Sequence, residues 1–252
     1  MKKSKNKVLS IVAPLVAFAL IFGLWEIIVR AMDIPKWLFP APSDIFTSMV
    51  TNFPEYWPHI LMTVQTVFIG FIIAVPIGIL TAALITNFEL VSAALSPYIT
   101  FLVITPLITL VPLLMLWMGY GIKVRIVTVV IQAFAIVNMN ACTGFLNVPT
   151  IRKELMQSLG ANRIQTFFKV TLPTAATDVF TGMRLASIFA TTACISAEYV
   201  GGNMGLGSQI IKYSQFLKTT ESFACIFFVT IVGLIMYGMI SILQRLVVRW
   251  KI

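Results

Sequence analysis

Histidine, cysteine, glycine-rich and intramembrane charged positions are where chemistry would reside in this chain, and none assembles into a catalytic set. His59 is the only histidine, so no His-cluster metal site can form, and its place just before an apolar segment suits an interfacial residue. Cys142, Cys194 and Cys225 lie in or beside apolar segments without C-x-x-C spacing, which predicts buried free thiols. The stretch GNMGLGS carries the first two glycines of a phosphate loop at Gly202 and Gly207. Ser208 and Gln209, however, stand where Lys and Ser/Thr are required, so nucleotide is not expected there. Neither H-E-x-x-H, G-x-S-x-G nor a paired-carboxylate motif occurs, so no catalytic residue and no metal ligand is expected. Glu26, Arg184 and Glu198 fall inside apolar segments, where charge is costly; function and snorkelling to a nearby membrane surface are both open readings.

The elements around these residues belong to a membrane protein. The chain is 59% hydrophobic and 11% charged, with mean hydropathy +0.95, against about 25% charged residues in a soluble domain. Apolar runs near 8–29, 60–86, 91–118, 122–141, 175–199 and 222–247 are each long enough to cross about 30 Å of hydrocarbon. Six spans are predicted, the first an uncleaved anchor after the basic start MKKSKNK. With the N-terminus inside, eleven Lys and Arg fall on the inner side and six on the outer, Arg184 aside, which favours both termini in the cytoplasm. Lys123 and Arg125 oppose that bias. The net charge of +9 is then explained by anionic lipid or an acidic partner and needs no nucleic acid.

Two loops and the third segment carry further signals. Between segments one and two, prolines and aromatics predict an interfacial strap, with Ser43 or Asp44 capping a short helix from Ile45. Pro97, Pro106 and Pro112 predict kinks in segment three; Thr105 and Thr109 beside Pro106 either compensate the freed carbonyls or line a pathway. Asn138, in segment four, either lines a pathway or joins helices by an amide hydrogen bond. On the inner side, ELMQSLGANRIQTFFKVTLP (154–173) breaks the apolar pattern. Thr150 is expected to cap a helix in which Leu155, Met156 and Leu159 form a stripe, and Gly160 to end it in a left-handed conformation. A second short helix then presents Ile164, Phe167 and Phe168 on one face, and Leu172-Pro173 stops it. A plain surface loop and a partner dock both fit this pattern.

Glu154, then Gly160, then Val170, Leu172 and Pro173, at their spacing, resemble the EAA loop of ABC-importer permeases, with Leu155 and Met156 standing where that family has alanines. LFPAPSDIF, PLITLVPLLMLWMGYG, TGMRLA and AEYVGGNMGLG follow in the order found in permeases for taurine, sulfonate, nitrate and thiamine precursors. The resemblance implies an all-α polytopic chain of about six spans with the type I importer permease fold. Residues 1–59 would hold the tail, first helix and strap, and residues 60–252 the core domain with a coupling loop at about 149–173. It further implies a homodimer in the bacterial inner membrane, two cytoplasmic ATPase subunits carrying ATP and Mg, and an external substrate-binding protein. Glu154, Leu155, Leu159, Gly160, Ala161, Leu172 and Pro173 would couple to the ATPase, and Thr105, Thr109 and Asn138 would line the path of a small solute. An ion-driven carrier, a channel subunit and a membrane-embedded enzyme are the alternatives.

Overall fold

A computed structural model describes residues 2–248, with side chains from residue 12 onward; the expected inner charges Arg249 and Lys251 lie outside the described residues. Lipid offers no partner to backbone N–H and C=O groups, so an apolar chain must close its hydrogen bonds within each segment. The described residues accordingly form helices and no strand. Helix α1 (Lys2–Ala31) is followed by the short α2 (Pro42–Thr51), then α3 (Phe53–Asn87), α4 (Glu89–Ile104), α5 (Leu107–Met118) and α6 (Ile122–Leu146). After α7 (Thr150–Ser158) and α8 (Arg163–Thr166) come α9 (Leu172–Gly201), α10 (Leu206–Gln215) and α11 (Thr219–Val247).

The third expected span is not one helix. Pro106 interrupts it, and α4 and α5 meet at a bend of 106°. Pro106 cannot donate the next helical hydrogen bond, and Thr105 before it is driven to extended geometry (φ −66°, ψ 124°). The bent pair still joins opposite ends of the bundle. Phe88, just before α4, lies beneath the Arg163 guanidinium, whereas Met115 and Tyr120 pack on Gly201. Counting the pair as one crossing gives six spans.

Helices α3, α6 and α9 form the centre, where Val67, Phe71, Val129, Val137, Ala186 and Ala190 are buried together. Gly70 and Gly78 on α3 meet Val129 and Val137 on α6 so closely that a Cβ would stand 2.5 and 2.9 Å from the valine Cγ1 atoms. Small residues at this spacing let two backbones approach, which is how helices gain contact in lipid. Asn138, 2% exposed, donates to Thr81 Oγ1 at 2.7 Å and the Gly78 carbonyl at 3.3 Å, adding a polar tie to the same seam.

Two intramembrane carboxylates hold the end of the bundle that carries α2 and α10. Glu26 accepts from the Ser43 N–H at 2.9 Å and from its hydroxyl at 2.7 Å, so the start of α2 is capped from α1. The expected local cap is replaced: α2 begins at Pro42, and Asp44 pairs with Lys36 at 2.8 Å and Arg30 at 3.2 Å. Glu198, fully buried, accepts from Thr63 Oγ1 at 2.8 Å and the Gly207 N–H at 2.8 Å. Thr63 in turn accepts from the Leu206 N–H at 3.0 Å, and His59 Nδ1 accepts from the Gly205 N–H at 3.2 Å. Arg125, 5% exposed, donates to the Met204 carbonyl at 2.7 Å. These bonds fold the glycine-rich loop inward and bury Leu206 to Ile210 of α10. Glu198 is therefore a buried anchor and not a snorkelling residue.

The seam predicts a sharp asymmetry among glycines. Gly78→Leu should lower the thermal midpoint of the detergent-solubilised protein through overpacking of about 1–3 kcal/mol or more. Gly23→Leu, at a position with nothing within 4 Å, should not. Equal midpoints for the two variants would remove the seam from the account.

Candidate functional site: an elbow outside the bundle and two hollows within it

The elbow is built from local capping. Pro149 occupies the N-cap position of α7 without a side-chain bond, so Thr150 is the first helical residue and not the expected cap. At the other end Gly160 has φ +74°, its N–H donates to the Gln157 carbonyl at 2.9 Å, and the Ala161 N–H reaches back to Met156 at 3.0 Å. This is the paired closure that a left-handed glycine allows after a helix. The next helix starts immediately with a reciprocal box: Gln165 N–H to Asn162 Oδ1 at 2.8 Å and Asn162 N–H to Gln165 Oε1 at 2.9 Å. Asn-x-x-Gln at 162–165 was the sequence signal for it.

Leu172-Pro173 does not stop this helix, contrary to the sequence expectation. A π-helical turn over Phe167–Thr171 carries the chain from α8 into α9, with the Leu172 N–H bonded to the Phe167 carbonyl. The wider turn takes up the proline, which sits in the first turn of α9 where it disturbs least.

Burial divides the apolar residues of the elbow. Phe167 turns inward, its ring 5.2 Å from that of buried Phe145, and Val170 and Leu172 pack on the same cluster. Ile164 and Phe168 point away from it, so the three residues expected on one face are split. Ile151, Leu155, Leu159, Ile164 and Phe168 are 59–73% exposed on short helices that also carry Arg152, Lys153, Glu154 and Arg163. Ala161 borders a polar hollow of about 230 Å³ with Thr86, Lys153, Gln157 and Arg163. Pro173 is half-buried.

The pathway candidates separate. Thr105 lines a hollow of about 340 Å³ at the α4–α5 bend, with Gln132 of α6 and Thr192 and Ser196 of α9. Thr109 is exposed one turn further on, its hydroxyl donating to the Pro106 carbonyl at 2.7 Å. Asn138 stands apart, in the α3–α6 seam described above. A second hollow of about 540 Å³ lies between α9 and α11, lined by Thr177, Arg184, Tyr237, Ser241, Gln244 and Arg245. Sequence reading missed it because its residues come from two helices about sixty positions apart. Among the described residues no group of His, Cys, Asp and Glu is placed to hold a metal ion.

Comparison with known proteins agrees with this architecture. Over 240 residues the chain is 25% identical to a probable ABC transporter permease protein of Haemophilus influenzae, covering 95% of this chain and 97% of that one. It is 26% identical to the formylaminopyrimidine transport permease protein ThiX of Halalkalibacterium halodurans (94% and 95% covered). The taurine transport system permease protein TauC of Escherichia coli is also 26% identical (92% and 87% covered). The fold is shared with a solved amino acid ABC transporter (TM-score 0.61, 21% identity, 81% and 97% covered). It is shared too with the MetNI methionine ABC transporter in an inward-facing conformation (TM-score 0.57, 21% identity, 77% and 92% covered). Residues 74–251 match the family described as binding-protein-dependent transport system inner membrane component, which takes in the proline-broken span, the elbow and both hollows. With that match extending over more than half its length, the chain belongs to this family of multi-pass ABC importer permeases.

Proposed function

We propose that the chain works as a homodimeric permease, gripped at the 149–173 elbow by two ATP-hydrolysing subunits and supplied from the opposite face by a substrate-binding protein. One observation carries the reading: five large apolar side chains are exposed on the elbow, amid charges that keep it out of lipid. Exposed apolar clusters rimmed by polar residues mark protein contacts. ATP and Mg belong to the partner in this reading, since no phosphate loop occurs in the chain. Glu154, Leu155, Leu159, Gly160 and Ala161 form the contact, while Leu172 and Pro173 join it to α9. Thr105 and Thr109 lie along the path, and the small solute belongs to the sulfonate, taurine, nitrate or vitamin-precursor class named for the relatives.

Leu159→Asp should leave membrane level unchanged, because the side chain is 73% exposed, and abolish co-purification of the ATPase subunit. Gly160→Val acts through the backbone, since its Cβ would meet nothing within 4 Å. Strain of about 1–3 kcal/mol at a left-handed position should weaken ATPase binding or uncouple hydrolysis from the loaded binding protein. Normal co-purification and ligand-stimulated hydrolysis in both variants would reduce the elbow to a tether.

Orientation follows from the charge bias, with both termini and the elbow in the cytoplasm. Burial of Arg125 supports it, because a cation spent on the Met204 carbonyl has a structural reason to sit on the outer side. Asn162→Cys and Asn203→Cys should label with an impermeant thiol reagent from opposite sides of sealed vesicles, Asn162→Cys from the cytoplasmic side. Labelling from the same side, or with the sides exchanged, refutes the orientation.

A further inference from the structure

The two hollows within the bundle lie on one line of α9. Thr177, Thr181, Arg184, Thr192 and Ser196 recur at helical spacing on the side of α9 turned away from the buried centre, and all are at least partly exposed. Three of the hydroxyls are bonded to their own helix, Thr181 to the Thr177 carbonyl at 2.8 Å, Thr192 to Ile188 at 3.3 Å and Ser196 to Thr192 at 3.0 Å. Their lone pairs remain for water or solute. Exposed Leu185 and Ile188 separate the two groups, Thr177 to Arg184 at one hollow and Thr192 with Ser196 at the other. It is the charge of Arg184 that calls for an aqueous space or another protein surface.

Arg184 gives that line its sign. Its guanidinium has five N–H donors. Among the described residues it meets Thr181 Oγ1 at 3.2 Å and the ring of Tyr237 at 5.9 Å from the centroid. Arg245 borders the same hollow, with the polar side chains of Thr177, Ser241 and Gln244 around it. Among the described residues no carboxylate pairs with either cation: the ion pairs there involve Arg30, Lys36, Glu26 and Asp44 at the far end. Asp178, the nearest acid along α9, turns to α6 against Gly144. Two arginines with no ion pair among the described residues raise the local concentration of anions and repel cations, and the planar fork of Arg matches sulfonate, carboxylate and oxyanion geometry.

We propose that this hollow, with Arg184 as its specificity-determining residue, is an anion-admitting station on the α9 path, so that the permease itself, and not only the binding protein, selects small anionic solutes. The inference rests on the importer reading above and names the charge class its path accepts.

The test uses Ser241→Cys in the otherwise native chain, co-purified with its ATPase, and compares thiol modification by two methanethiosulfonates, one bearing a sulfonate and one a trimethylammonium group. The unsubstituted chain, whose Cys194 and Cys225 are buried and Cys142 half-buried, supplies the background. The sulfonate-to-ammonium rate ratio should exceed that of a free thiol, and adding Arg184→Gln should lower it about 25-fold. A unit charge about 4 Å away shifts each rate about fivefold in a wet site, and the two reagents move in opposite senses. Arg184→Lys should keep the ratio high, separating charge from fold. A ratio that Arg184→Gln leaves unchanged, or one no higher than that of a free thiol, overturns the proposal. So does a sulfonate rate suppressed in phosphatidylglycerol nanodiscs but not in phosphatidylcholine, since a lipid headgroup would then own the hollow. Failure of the native chain to carry an ATPase counts instead against the importer reading, and leaves the rate ratio to decide the hollow.

Discussion

Closeness of approach is the constraint from which the rest of this structure follows. In water, apolar faces are driven together; in lipid they exchange one hydrocarbon neighbour for another, and helices associate only where packing or polar bonds improve on the tails. The α3–α6–α9 centre meets that requirement with Gly70 against Val129 and Gly78 against Val137, two contacts in matched register. Asn138 adds its amide at the same seam. Everything with a functional reading is hung from these helices. The elbow continues from α6 into α9, the proline bend leans on Gln132 and Thr192, and the arginine hollow opens on the outer side of α9.

Polar groups inside the bundle divide by what they meet. Glu198 has its oxygens occupied by hydroxyl and amide donors, which turns an expensive buried charge into a fixed joint, and the part-exposed Glu26 is held by Ser43 and Arg30. Arg125 gives one bond to the Met204 carbonyl and keeps its buried Nε without a partner among the described residues. Arg184 also makes one bond among the described residues, but it borders an open hollow where Arg125 is enclosed, and that contrast sets it apart.

The spans were legible because composition and length alone demand them, and the elbow because capping and glycine signals act over a few residues. What reached across the chain was not legible. Besides Arg30 one turn on, Glu26 bonds Ser43 17 residues away, and Glu198 bonds Thr63 135 residues away, so a local pattern alone does not distinguish a snorkelling carboxylate from an anchored one. The proline in segment three announced a kink without its size, since the angle depends on what α6 and α9 leave room for. Leu172-Pro173 misled for a related reason: a proline rule written for ideal helices does not foresee a widened turn. Asn138 had both readings open, and its bonds to Gly78 and Thr81, 60 and 57 positions away, could not be foreseen from its neighbours.

The widened turn at Phe167–Thr171 has a mechanical meaning. Because it continues the helix where a break was expected, Arg163 to Gly201 is a single helical rod of 39 residues, about 58 Å long at the usual rise. One tip lies in the elbow; the other holds Glu198, the post to which the inturned loop is tied. A rod has no slack along its axis, so a push at one tip reaches the other without waiting for intermediate contacts to rearrange. Rocking of such a rod about its packed middle would carry its two tips in opposite directions. The midpoint that such a rocking motion leaves nearly still falls near Gly182 and Met183, where a Cβ on Gly182 would stand 2.5 Å from Asn140 Cβ. The fulcrum of the rod is thus also one of its tightest contacts.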